Sequence, residues 1–131
     1  MTPDEAMRRI DATLSHVWMV RHFLKHCDEA QDDDELLAVP RALYDAMLAL
    51  GPAWQQRDAT AYLRVARKKL GKLRRAAADF ERLQADVSTH TNFQMAVRSL
   101  NEAVSRVETL LDRVQMETEE HGGTQEGDHP L

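Results

Sequence analysis

The sequence predicts an all-α protein, an antiparallel up-down-up-down four-helix bundle, on three observations. Four stretches carry apolar residues at alternating three- and four-residue spacing, the repeat that draws one seam down a helix. Only five glycines and four prolines punctuate 131 residues, so the elements are long and the connections few. No stretch shows the period-two alternation of a half-buried strand. The expected division is a bundle domain over 1–118 and a disordered acidic tail over 119–131.

The first helix is expected over 3–29. Thr2 is placed to cap it, Pro3 suits its first turn, and Asp4 and Glu5 complement the positive end of the helix dipole. Its seam reads Met7, Ile10, Leu14, Val17, Arg21 and Leu24. The acidic string Asp32-Asp33-Asp34-Glu35 then opens a second helix that ends at Leu50, before Gly51-Pro52. Pro40 falls inside it and is expected to kink it, or to split off a short lead-in turn.

Asp58 or Thr60 caps the third helix, whose seam is Leu63, Ala66, Leu70, Leu73, Ala77, Phe80 and Val87, with Gln84 in phase near the end. Ser88-Thr89-His90-Thr91-Asn92 offers caps for the fourth, expected to last to about Thr118. Its seam is the cleanest of all: Phe93, Val97, Leu100, Val104, Val107, Leu111 and Val114. Four helices on short connections pack most economically as antiparallel neighbours. Beyond them, glycines, a proline and no apolar pattern make the tail.

Hydrophobic residues at 43% and charged residues at 30% fit a soluble globular chain. The single cysteine, Cys27, excludes an intramolecular disulfide and suits a reducing compartment. The acidic opening lacks the basic start and apolar core of a signal peptide, and no window is apolar enough to cross a bilayer, so a cytoplasmic protein without membrane contact is expected. A formal charge of −5 argues against dominant nonspecific binding to nucleic acid.

Arg21 lies on the seam of the first helix, where a guanidinium needs a partner. The simplest role is a structural ion pair or a clamp on helix-end carbonyls. The string Arg21-His22-Phe23-Leu24-Lys25-His26 resembles the R-x4-H motif of HEPN-domain ribonucleases, themselves small all-α bundles in which two protomers bring their motifs together. The resemblance implies Arg21 as a phosphate or transition-state stabiliser and His26 as the group handling the proton of an attacking 2′-hydroxyl.

His22 and His26, four residues apart, share a helical face and could chelate a metal. No Glu-x-x-His pair and no second cysteine completes a site, so a solvated pair is expected, with no metal and no cofactor. Nothing resembles a nucleophile elbow, a phosphate-cradling glycine loop or a dinucleotide fingerprint. Trp18 borders the first seam and is expected in the core.

Two surfaces stand out. The third helix carries Arg64, Arg67, Lys68, Lys72, Arg75 and Arg82 on one side, which is either a solvated face balanced by neighbouring acids or a docking strip for an acidic protein or a nucleic acid. The second helix is unusually poor in charge: beside the stripe Leu36, Pro40, Leu43, Met47 and Leu50 runs a second one, Leu37, Tyr44 and Leu48. With Met19 and Phe23 of the first helix, that second stripe is expected to form a homodimer interface. The expected function is therefore non-catalytic, a self-associating interaction protein, with a HEPN-like ribonuclease using Arg21 and His26 as the alternative.

Overall fold

The computed structural model describes the backbone of residues 1–128 and side chains through residue 117. Among the described residues every regular element is helical: α1 (Pro3–His26), α2 (Asp28–Gln31), α3 (Asp34–Leu48), α4 (Gly51–Gln55), α5 (Ala59–Val87) and α6 (Thr91–Asp128).

The boundaries follow local chemistry. Thr2 Oγ1 accepts from the Glu5 amide at 3.1 Å and starts α1. The helix stops at His26, short of the expected residue 29, because Cys27 turns extended (φ −80°, ψ 141°) before the single turn of α2. The Gln31 side-chain amide then donates to the carbonyls of Lys25 at 2.9 Å and Cys27 at 3.1 Å, satisfying acceptors that the helix end leaves open.

Asp33 Oδ1 accepts from Leu36 N at 3.0 Å and opens α3. Of the two expected effects of Pro40, a split-off lead-in turn is not seen: α3 is continuous through it. The proline lies buried in one continuous run with Leu36, Val39 and Leu43, where packing of its ring offsets the lost backbone donor. The helix ends at Leu48, two residues short of the expected Leu50, and Gly51 and Pro52 form the first turn of the short α4. Asp58, rather than Thr60, caps α5 by accepting from Ala61 N at 3.1 Å. At the head of α6 the His90 Nδ1 accepts from Asn92 N at 3.1 Å.

The backbone of α6 stays helical to Asp128, past the expected end near Thr118. The expected disordered tail over 119–131 otherwise falls on side chains and on residues 129–131 that lie outside the described residues.

The four long helices pack pairwise: α1 lies against α3 and α6, and α5 against the same two. The seam of α6 is buried throughout, from Phe93 to Val114. Met7, Ile10 and Leu24 from α1, Leu36 and Leu43 from α3, Tyr62 and Phe80 from α5 and Leu100 from α6 are fully enclosed. Two positions of the expected seams shift by one residue. Val20, not Arg21, is buried after Val17, and Leu83, not Gln84, is buried after Phe80. In both pairs the apolar side chain takes the inside, since burying a charge or an amide costs more than burying a hydrocarbon. No helix among the described residues is long and apolar enough to cross a membrane.

Candidate functional site

Because Val20 takes the inward position, Arg21 is only half-buried, on the edge of α1 that faces α3. The expected ion pair or carbonyl clamp is not found among the described residues. The Arg21 guanidinium carbon stands 4.5 Å from the ring centre of Trp18 and 4.6 Å from that of Tyr44. Trp18 is three residues back on the same helix, so its indole shares the face of Arg21. It is 42% exposed instead of lying in the core.

Arg21 and Tyr44 of this stack line a groove of about 620 Å³ between α1 and α3. Lys25 follows Arg21 at one helical turn, and Gln31 closes the end near α2. From α3 come the apolar floor of Leu37 and Pro40, the Tyr44 ring, and a second guanidinium, Arg41. Asp45 is the single carboxylate of the lining, and it is engaged by Lys72 of α5 at 3.2 Å. Among the described residues no carboxylate lies within ion-pair reach of Arg21, Lys25 or Arg41.

His26 does not join Arg21 in this groove. It is exposed and stacks on His22, ring centres 4.5 Å apart. Among the described residues no cluster of three or more His, Cys, Asp or Glu side chains could hold a metal ion.

The expected interface residues divide. Met19 is 60% exposed, Leu48 59% and Tyr44 39%, so these three apolar side chains stand open to solvent. Leu37 is half-buried in the groove. Phe23 is half-buried too, its ring edge-on to Phe93 of α6 at 5.0 Å between centres, and so it supports the subunit's own packing. Trp18, Met95 (52% exposed) and Met116 (64%) are open apolar side chains that the seams alone did not mark.

The basic side of α5 also divides. Lys72 pairs with Asp45, Arg74 pairs with Glu108 of α6, and Arg82 reaches Glu35 and Asp79, both at 3.7 Å. Arg64, Arg67, Lys68 and Arg75 have no such partner among the described residues and are exposed. Three- and four-residue spacing places them on one outward face, and residues 59–78 contain no acid at all. Gly71 lies within that face, with the Arg75 side chain near its Cα.

At the α4–α5 end, the buried Tyr62 donates from its hydroxyl to Asp11 Oδ1 of α1 at 3.2 Å. Burial raises the Asp11 carboxyl above its ordinary 3.8, against the opposing pull of the Tyr62 hydrogen bond and the Arg57 charge. Burial, with Asp11 alongside, holds the Tyr62 phenol well above its ordinary 10.0. Arg57, in the left-handed region at φ 53°, stacks 4.2 Å over the Trp54 ring.

With this geometry in view, comparison with protein-family models, curated proteins and solved structures gives no match.

Proposed function

We propose that this protein works by contact with other macromolecules and not by catalysis, as an up-down-up-down four-helix bundle that self-associates, as a homodimer, through α3 and the adjoining edge of α1. The observation that carries the reading is the exposed apolar surface of Met19, Tyr44 and Leu48, with Trp18 beside it. Water around such a surface is released when a second copy covers it, and a twofold pair lays the same patch on itself. The short connections between successive long helices support the bundle topology.

The second part of the proposal is recruitment of an acidic or phosphate-rich partner by the free cations of α5, Arg64, Arg67, Lys68 and Arg75. Lys72 contributes less than the sequence suggests, since Asp45 already occupies it. The ribonuclease alternative needs Arg21 and His26 at one substrate. The stack of His26 on His22, outside the groove of Arg21, favours the binding reading.

Size-exclusion chromatography with light scattering tests self-association. A dimer at micromolar concentration, converted to monomer by Leu48→Glu or Met19→Glu, is the expected result. A wild-type monomer overturns it. For α5, retention of structured RNA or a polyglutamate peptide is expected to fall in Arg67→Glu/Lys68→Glu and with added salt. Cleavage of that RNA, lost in Arg21→Ala and His26→Ala, would replace this reading with the enzymatic one.

A further inference from the structure

The groove between α1 and α3 carries three cations, Arg21, Lys25 and Arg41, that the self-association reading does not use. The Arg21 guanidinium lies over two rings, those of Trp18 and Tyr44, and its N–H donors are spent on no described residue. The two rings also restrict where that charge can go, so the arginine is held in place before any ligand arrives. Lys25 stands on the same side, and Arg41 faces them from α3. Three cations therefore border one space whose sole carboxylate, Asp45, is turned to Lys72.

A single carboxylate ligand would be satisfied by one guanidinium fork. Two guanidiniums and an ammonium on opposite sides of a groove match a dianion with three acceptor oxygens, which is the chemistry of a phosphoryl group. The remainder of the lining is hydrocarbon and aromatic: Leu37, Pro40 and the Tyr44 ring. A volume of about 620 Å³ suits a small molecule. A second cleft, between α1 and α6 and lined by Arg9, Thr13, His16 and Arg106, has no Trp, Tyr or Phe ring in its lining.

We propose that this groove binds a small phosphomonoester with an apolar body, its phosphoryl group held by Arg21, Lys25 and Arg41 and its body laid on Leu37, Pro40 and Tyr44. This inference does not use the α5 strip, and it shares only Tyr44 with the self-association surface, so a ligand and a second copy would compete at that ring. Leu48 and Met19 do not line the groove, so the monomeric variants of those residues remain usable for testing it.

The test is isothermal titration of the full chain with phenyl phosphate, with benzoate and inorganic phosphate as comparison probes, repeated in Met19→Glu. The expected result is saturable one-to-one binding of phenyl phosphate, tighter than either comparison probe and weakened by salt. Arg41→Ala and Arg21→Lys are each expected to weaken it about tenfold or more, while Arg64→Ala leaves it unchanged. Arg41 is exposed, so its loss is read without risk to folding. Absence of saturation overturns the proposal. So does equal binding of benzoate or of inorganic phosphate, and so does a loss in Arg64→Ala that matches the loss in Arg41→Ala.

Discussion

Arg21 and Tyr44 join α1 to α3 without a hydrogen bond or an ion pair, through a guanidinium held 4.6 Å from the centre of a half-exposed ring. Such a contact at a partly wet site is worth about 0.5–1 kcal/mol. A double-mutant cycle on Arg21→Ala and Tyr44→Ala, followed by urea unfolding, is expected to return a coupling of about that size. A carboxylate pair would give a strongly salt-dependent coupling. Here the coupling is expected to persist at 1 M salt, or about that, because the ring face and the cation are in direct contact.

Gly71 stands mid-helix, where glycine costs about 0.5–1 kcal/mol relative to alanine. A Cβ added there would approach only the far end of Arg75, at 3.4 Å, and that long side chain can move aside. Gly71→Ala is therefore expected to stabilise the fold by about 0.5–1 kcal/mol in urea unfolding. A destabilised variant would mean that the Arg75 side chain is not free to shift.

The Asp11–Tyr62 contact sets a pH response with a defined sign. Asp11 has a higher pKa in the folded chain than its ordinary 3.8, so the folded state holds its proton more tightly than the unfolded state does. Its contribution favours folding below 3.8 and is lost as pH rises through the folded value. Asp11→Asn is expected to flatten that part of the stability profile, measured by thermal unfolding across the acid range. Tyr62→Phe, which removes the hydroxyl donor to Asp11, is expected to cost about 1 kcal/mol at neutral pH. For Tyr62 itself the raised phenol pKa gives stability that is complete below its ordinary 10.0 and declines above it.

Core and surface are expected to separate cleanly. Phe80 is fully enclosed, and Phe80→Ala is expected to cost about 3–5 kcal/mol. Met19→Glu, on the open side of α1, is expected to change monomer stability by less than about 0.5 kcal/mol. Chemical denaturation at fixed protein concentration, beside light scattering, distinguishes loss of fold from loss of association.

The legibility of the sequence varied with the chemistry of each position. In α6 every residue of the expected three-four seam is apolar and buried, and Ala103 and Leu110 beside it are buried as well, widening the stripe. In α1 the repeat after Val17 admits either Val20 or Arg21, and spacing alone does not choose between them. Burial does, in favour of the hydrocarbon, and this one-residue choice decides whether Arg21 is a core anomaly or the wall of a groove. Trp18 and Arg21 are three residues apart on one helix, and Arg41 and Tyr44 on the other, spacings that share a helical face. The meeting of the two faces was not legible, since nothing in either helix states that these two edges are adjacent. The end of α1 was equally hidden: no glycine or proline marks Cys27, and the Gln31 amide that satisfies the freed carbonyls acts from beyond the break.

That break has a practical consequence. The chain's only thiol sits at the joint between α1 and α2, half-buried, donating to the Leu24 carbonyl at 3.4 Å and raised above its ordinary pKa by burial. It is thus a slow-reacting attachment point close to Gln31 at the groove's end. A fluorophore or spin label placed there reports on this corner from one address, with no engineered residue needed.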